Sequence, residues 1–300
     1  MARKPGLILM SLILSLTGWA QEDTTWINTE VFYEIQKEGE VQGYVLGTIH
    51  SQDPRVHAFD SSLFRDILSV DAFALELNPE EVDYSAVFQM MEMDSSLADI
   101  YEPEDLSAIS VLLRARTGMN PALFMKMRPL FLAFLCMEEI DLIPAEFEIL
   151  DFRLAEYAKG QGKEIIGLET PEEQFSALSN IPPDFEIKLL LDLTRKSFRD
   201  SLKASEGSEK ELTDTWLFGG LDSLDFQSEI LNLPQEFLDG LIDNRNEIMA
   251  ERILEEIKSK TLFIAVGAGH LNGENGLLKL LQAEGYQIQS KPLRFRTFKK

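Results

Sequence analysis

The sequence predicts an α/β fold: a single domain with a central mixed sheet, helices on its faces and long helical insertions. Short apolar, β-rich runs occur near both ends and in the middle of the chain. One of them is followed by a helical pattern and a second strand, the arrangement of a parallel sheet. Longer stretches with helical spacing of apolar residues separate these runs. At 300 residues, the chain is long enough to bury a substantial core in one such domain.

The first predicted elements form a hairpin and a βαβ unit. Residues 31–37 and 41–47 are apolar runs separated by Glu38-Gly39-Glu40, a typical turn sequence. Residues 57–69 carry apolar side chains at helical spacing, and residues 71–77 form a short strand that ends before Pro79.

The middle of the chain is predicted to be mainly helical, with two insertions at about residues 84–145 and 172–240. Both insertions are interrupted by proline and glycine, which mark helix boundaries. Between and after them, the pattern predicts a helix at Leu150–Gly160, strands at 163–168 and 263–266, a helix at 276–284 and a last strand at 286–289.

Residues 1–20 are predicted to be a signal peptide rather than part of the fold. Arg3 and Lys4 precede an apolar stretch that is shorter than the roughly 20 residues of a membrane span. Gly18 and Ala20 are small residues suited to cleavage before Gln21. An uncleaved anchor is the alternative. We therefore expect a secreted or periplasmic domain over 21–300, with no membrane span after cleavage.

Composition excludes several classes of function. The chain has 28 basic and 51 acidic residues, a formal net charge of −23, and no long basic stripe, which excludes nucleic acid as a partner. Cys136 is the single cysteine, so an intramolecular disulfide and a multi-thiolate metal site are both excluded. Because Cys136 lies in an apolar run, we expect it to be a small buried hydrophobe.

Two of the three histidines follow the same local pattern. His50 and His270 each come after an apolar strand that ends in Gly-x-x-His. In an open α/β sheet, the carboxyl ends of the strands are where sites are built. Imidazole is the commonest protein metal ligand and a general acid or base near neutral pH. The alternative is that each histidine belongs only to a tight turn. We interpret the third histidine, His57, as structural.

Three further residues are candidates for the same site. Glu76 ends an apolar strand, where a carboxylate either caps the strand in solvent or serves as a ligand or base. Glu169 follows the next strand directly, although Thr170-Pro171 also predicts a helix start at this point. Arg245 precedes the last motif strand and is either a surface ion-pair partner or a clamp for an anion.

Together these residues suit a divalent cation with an open position, which would polarise a carbonyl and activate water. His50, His270 and Glu76 are the predicted ligands. Glu76, Glu169 and Arg245 are the predicted catalytic groups. No His-Glu-x-x-His or Gly-x-Ser-x-Gly motif is present, which excludes the usual zincin arrangement and counts against a serine hydrolase.

The chain resembles the TraB/PrgY/GumN family, to which the Tiki proteases belong. The resemblance rests on five motifs in order: Gly47-Thr-Ile-His50, Ala74-Leu-Glu-Leu-Asn78, Gly167-Leu-Glu-Thr170, Asn244-Arg-Asn246 and Gly267-Ala-Gly-His270. It covers almost all of the mature chain and is loosest in the helical middle. Where the family pattern has an acidic residue after the glutamate motif, this chain has Asn78.

The resemblance implies a metal-dependent hydrolase on the fold of erythromycin esterases and haem-binding ChaN proteins. In the Tiki branch it implies a peptidase that uses Mn or Co, and Zn or Fe would also suit the ligands. Carried over by motif, the site is His50, Glu76, Arg245 and His270, with Glu169 as a further member. A peptide or protein is the implied substrate. The alternative function is a non-catalytic protein that sequesters haem, metal or a peptide.

Overall fold

The computed structural model describes residues 24–51, 53–137, 149–179, 181–205, 209–219 and 242–298. The predicted signal peptide at 1–20 lies outside the described residues. The same holds for residues 138–145 and 220–240 of the two predicted insertions.

A mixed six-stranded sheet forms the centre of the molecule, with strand order β5-β4-β6-β3-β2-β7. The first four strands in this order run parallel, whereas β2 pairs antiparallel with β3 and with β7. The strands are β1 (Thr24–Thr29), β2 (Phe32–Lys37), β3 (Glu40–Thr48), β4 (Ala72–Leu75), β5 (Glu164–Gly167), β6 (Leu262–Gly267), β7 (Gln287–Ser290) and β8 (Leu293–Phe298).

The hairpin and the central strands follow the sequence pattern closely. Glu38 and Gly39 both adopt positive φ angles, 54° and 84°, as a two-residue hairpin turn between β2 and β3 requires. Strand β3 then lies beside β6 in parallel register, with Tyr44 opposite Phe263. Residues 262–266 of β6 are all buried, as is typical of a central strand in the parallel part of a sheet.

A second, two-stranded sheet pairs β1 with β8. Neither segment was predicted as a strand from the sequence. Leu293 and Phe295 are buried, whereas Arg294 and Arg296 alternate with them and face solvent. This period of two was readable in the sequence. Phe295 packs edge-on against Trp216, with ring centroids 4.9 Å apart, and this contact attaches the small sheet to the core.

Twelve α-helices lie among the described residues, in addition to 3₁₀ turns at Pro54–His57, Pro121–Phe124 and Ala268–His270 and a π-helical turn at Thr215–Gly219. The α-helices are α1 (Ser62–Ser69), α2 (Tyr84–Met91), α3 (Leu97–Ile100), α4 (Pro103–Thr117), α5 (Pro129–Met137), α6 (Leu150–Gly160), α7 (Pro171–Ser179), α8 (Pro183–Leu193), α9 (Lys196–Ser205), α10 (Glu209–Asp214), α11 (Asn244–Glu256) and α12 (Leu277–Ala283).

The described parts of the two predicted insertions pack together and bury a core of their own, separate from the core around the sheet. Leu113 and Leu132 from the first insertion share this core with Leu190 from the second. Cys136 lies in the same core, fully buried, as the sequence predicted. Burial raises the pKa of its thiol to about 11, so at neutral pH it remains a neutral hydrophobe.

No helix among the described residues is long and apolar enough to cross a membrane.

The close approach of β3 to β6 depends on Gly43. A Cβ atom at this position would lie 2.2 Å from the backbone oxygen of Leu262, so the two strands would have to separate. We expect Gly43→Ala to lower the free energy of unfolding by about 1–3 kcal/mol or more, measured by urea denaturation. Gly160→Ala is the matched control, because a Cβ there meets no atom within 4 Å. An equal effect of the two substitutions would contradict this explanation.

Candidate active site at the carboxyl edge of the sheet

Four parallel strands end side by side, and each is followed by one of the predicted site residues. His50 follows β3, Glu76 follows β4, Glu169 follows β5, and His270 follows β6. Helix α11 runs back towards the start of β6, so its first turn lies at the same edge of the sheet and brings Arg245 there. Strand order and strand direction therefore place all five residues at one edge.

Glycine allows the two Gly-x-x-His turns to approach their neighbours closely. Gly47 lies against the 3₁₀ turn of the second motif, where an added Cβ would be 3.1 Å from the Cα of Ala268. The indole Nε1 of Trp216 donates a hydrogen bond of 3.0 Å to the Gly47 carbonyl and fixes the end of β3. The Gly267 N–H donates a hydrogen bond of 2.8 Å to Glu76 Oε1, which an added Cβ would approach to 3.2 Å.

Arg245 joins the two carboxylates in the interior of the site. Its Nη2 donates a hydrogen bond of 2.7 Å to Glu76 Oε2, and its Nε donates one of 2.9 Å to Glu169 Oε2. Nη2 also bonds Glu169 Oε1, so the guanidinium holds Glu169 through two bonds. The side chain of Arg245 is 7% exposed and that of Glu169 is 0% exposed. The surface ion pair considered for Arg245 is therefore wrong, because the ion pair is buried.

The strand end and the helix start predicted around Glu169 are both present. Thr170 and Glu173 form a reciprocal cap, in which each side chain accepts a hydrogen bond from the other residue's backbone N–H. The Glu169 backbone N–H donates a hydrogen bond of 2.9 Å to the Glu76 carbonyl. The Glu169 side chain is left to face Arg245 and to accept a hydrogen bond from Gln174.

His270 is buried and oriented by a neighbour on α11. Its Nδ1 lies 2.7 Å from Asn246 Oδ1, which can only accept a hydrogen bond, so Nδ1 carries the proton. Asn246 is itself held by a hydrogen bond from its amide to the Asn275 carbonyl. The lone pair of His270 is thus on Nε2, which lies 3.8 Å from Glu76 Oε1.

The two glutamates have pKa values displaced in opposite directions. Burial raises the pKa of Glu76, but the charge of His270 when it is protonated, the guanidinium of Arg245 and the hydrogen bond from the Gly267 N–H outweigh burial and hold that pKa below its ordinary value. Burial raises the pKa of Glu169 above its ordinary value in spite of the hydrogen bonds from Arg245. Neighbouring carboxyls with separated pKa values are typical of acid–base sites.

Burial lowers the pKa of His270 to about 4, against an opposing effect of the Glu76 carboxylate. At neutral pH the imidazole is therefore uncharged, the form in which histidine binds a metal. Arg245 then supplies the positive charge that keeps Glu76 ionised.

His50 lies at the neighbouring strand end in a different setting. Its side chain is 71% exposed, and its Nε2 lies 3.8 Å from Asp151 Oδ2 in the first turn of α6. Direct contacts thus join Glu76, Glu169, Arg245 and His270 into one cluster, and His50 is linked to Asp151.

Sequence reasoning assigned no role to two residues that contact the motif histidines, Asn246 and Asp151. Each lies in the first turn of a helix that precedes a parallel strand, a position that faces the carboxyl edge of the sheet. That position could have been recognised from the predicted helix–strand order. The contact itself depends on helix packing.

The donors are of the right kind for a divalent cation, and two of them are adjacent. The lone pair of His270 Nε2 faces the Glu76 carboxylate, and Asn246 fixes the imidazole from behind, an arrangement typical of metal-binding histidines. Within the described ranges, no three side chains of His, Cys, Asp or Glu come close enough together to hold a metal. A complete site would need His50 as the further ligand.

Comparison with known proteins identifies relatives over most of the chain. Residues 31–290 match the TraB/PrgY/gumN family. Metalloprotease TIKI1 of Danio rerio is 26% identical over 303 aligned residues, which cover 83% of this chain and 61% of that protein. Metalloprotease TIKI2 of Xenopus tropicalis is 25% identical, with 83% and 58% covered. The chain thus spans only about 60% of the length of these relatives.

A bacterial relative is matched over nearly its whole length. The uncharacterized protein YbaP of Shigella flexneri is 24% identical over 257 residues, which cover 83% of this chain and 91% of that protein. No solved structure was found to match the sequence.

Proposed function

This chain belongs to the TraB/PrgY/gumN family, and on that premise we propose that it is a metal-dependent hydrolase that cleaves peptide bonds. Two relatives that align with 83% of the chain are named metalloproteases, which supports this reaction class. The observation that carries the proposal is the cluster of buried Arg245, Glu169 and neutral His270 with the partly buried Glu76 at the carboxyl edge of the sheet.

In this proposal, His50, His270 and Glu76 hold a divalent cation, with Mn or Co as the expected metals. The bound cation would polarise the scissile carbonyl and lower the pKa of water. Asn246 keeps the proton of His270 on Nδ1, so that Nε2 is available as a ligand. Arg245 fixes the Glu76 carboxylate by their hydrogen bond of 2.7 Å.

The proton-transfer role is best assigned to Glu169. Its raised pKa places it closer to neutral pH than an ordinary carboxyl, which suits a general acid or base. The predicted role of Arg245 as a clamp for an anion remains part of the proposal, with the oxyanion of the reaction as that anion. Its hydrogen bonds to the two glutamates support a second task, the positioning of both carboxylates.

The finer assignments of fold and compartment are also proposals. The mixed sheet with its helical insertions is compatible with the erythromycin-esterase and ChaN-like fold. We propose that residues 1–20 direct export, that 21–300 form one domain, and that the protein acts on a peptide or protein outside the cytoplasm.

Haem sequestration, the alternative, has less support from the site. The His270 side chain is only 6% exposed, and its Nε2 faces a carboxylate rather than an open apolar pocket. Haem titration followed by absorbance tests haem sequestration. A Soret shift in the wild type that is lost in His270→Ala would support it.

Metal titration of the stripped protein tests the proposed function. We expect binding of one Mn²⁺ or Co²⁺, measured by isothermal titration calorimetry, and hydrolysis of peptides from a mixed library. His50→Ala and His270→Ala should each weaken metal binding by more than about 100-fold, the upper end of the loss seen when only a supporting residue is removed. Hydrolysis should be lost in parallel.

The third histidine provides the control. His57 ends a 3₁₀ turn and is not a predicted ligand, so His57→Gln should bind metal as the wild type does. If the wild-type protein binds no Mn, Co, Zn or Fe, or if His50→Ala leaves hydrolysis intact, the proposed function is wrong.

A further inference from the structure

Asp151 is a buried carboxylate that the proposed mechanism does not use. Its side chain is 9% exposed, yet within the described residues its Oδ1 has no hydrogen-bond partner. Among the described residues, Asp151 has an ion contact with His50, whose Nε2 lies 3.8 Å from Asp151 Oδ2. A carboxylate removed from water with so little compensation is costly to keep.

The topology explains how Asp151 reaches the site. Helix α6 packs on β4 and β5 and turns through Gly162 directly into β5, so it runs antiparallel to that strand. Its first turn therefore lies at the carboxyl edge of the sheet, where β3 delivers His50. Helix α11 likewise directly precedes β6 along the chain.

The two motif histidines thus receive matching partners. Asn246, the third residue of α11, faces His270, and Asp151, the second residue of α6, faces His50. In both cases the partner is buried and offers an oxygen to an imidazole nitrogen, Nδ1 in His270 and Nε2 in His50.

We propose that Asp151 is the positioning residue of His50. Its carboxylate attracts the proton of His50 to Nε2 and leaves the lone pair on Nδ1 for the cation of the proposed site. Since Asp151 is buried and the imidazole is largely exposed, the carboxylate fixes the position and the imidazole adjusts to it. This inference rests on the proposed function only for the identity of what His50 binds.

A purely structural role for Asp151 does not account for these observations. An acidic residue in the first turn of a helix interacts favourably with the helix dipole. That interaction needs no burial, and a structural carboxylate would be expected to accept hydrogen bonds from the helix backbone. Burial beside His50 is what a positioning role requires.

Asp192 offers a matched control. Its side chain is also 9% exposed and lies on a helix, but it pairs with Lys188 and Arg195, whose side chains are exposed. We expect Asp151→Asn to weaken Mn²⁺ binding by about 10- to 100-fold while the melting temperature of the metal-free protein stays the same or rises. Asp192→Asn should do the reverse and lower the melting temperature by about 2–4 °C without changing metal affinity.

Ring ¹⁵N spectra at pH 8 test the positioning without any metal. The chain has three histidines, so single substitutions assign the signals. The wild type should show His50 protonated on Nε2, and Asp151→Leu should bring the two ring-nitrogen shifts of His50 closer together. The ring-nitrogen shifts of His57 should be the same in the wild type and in Asp151→Leu.

The outcomes separate the two proposals. If the wild type binds metal and Asp151→Asn binds it equally well, the positioning role is overturned while the proposed function stands. If the wild type binds no metal, the proposed function fails and the ring spectra decide alone: identical His50 shifts in the wild type and Asp151→Leu overturn the positioning role.

Discussion

Replacing Arg245 with methionine is expected to lower the free energy of unfolding by about 3–5 kcal/mol, the usual cost of removing one partner from a buried ion pair. The guanidinium is the positive charge that both Glu76 and Glu169 contact. Without the guanidinium, the carboxylates of Glu76 and Glu169 lie close together with no positive charge between them. At least one of them must then take up a proton or become hydrated. Urea denaturation at pH 7 measures the loss.

Arg252 on the same helix is the control for this substitution. It pairs with Glu173, and these two side chains are 34% and 31% exposed, so solvent screens the interaction. Arg252→Met should therefore cost no more than about 1 kcal/mol. Adding Glu169→Gln to Arg245→Met should recover part of the stability, because one of the uncompensated charges is then gone. If Arg245→Met and Arg252→Met lowered the free energy of unfolding equally, burial would not be what determines the cost of losing the ion pair.

Acidification is expected to destabilise the metal-free protein through His270. The pKa of this imidazole is lowered to about 4 in the folded state, whereas an unfolded chain binds the proton near pH 6.5. Between these values the unfolded state holds more protons, so stability falls as pH decreases through the window. The total loss from this group is about 3 kcal/mol.

The difference between wild type and His270→Gln isolates this effect. The wild-type stability should drop between pH 6.5 and pH 4, and the variant should lack that part of the drop. Glu76, with its lowered pKa, adds a loss at lower pH as it is protonated, and Glu169, with its raised pKa, opposes the loss. A wild-type curve parallel to that of His270→Gln would mean that His270 titrates normally.

Local sequence pattern was sufficient for most of the sheet and for the edge at which the site lies. The apolar strands flanking residues 38–40 produced the hairpin, and the helix Leu150–Gly160 has the predicted bounds. The second sheet was not predicted, because β1 and β8 lie more than 260 residues apart and neither has a local partner. The period of two in β8 indicates a strand, but the sequence does not show that its partner is β1.

The site, like the fold, was predicted in part from local sequence and decided in part by tertiary packing. Strand-end positions identified Glu76, His270 and His50 as candidates, since the carboxyl ends of parallel strands share one edge. Whether Arg245 was a surface residue or a buried clamp could not be decided from its charged local sequence. The packing of α11 against the strand ends decided it, and the same packing supplied Asn246 as the partner of His270.

The sequence by itself determined the parallel strands, the glycine turns and the polar residues that follow them, because these depend on local periodicity and backbone freedom. Only the tertiary structure decided which charges are buried and which meet. It gave Glu76 and Glu169 one shared guanidinium, displaced their pKa values in opposite directions and placed Asp151 beside His50. Desolvation and ion pairing act over a few ångströms in space, and residues 76 and 169 positions apart along the chain have no local pattern that records such contacts.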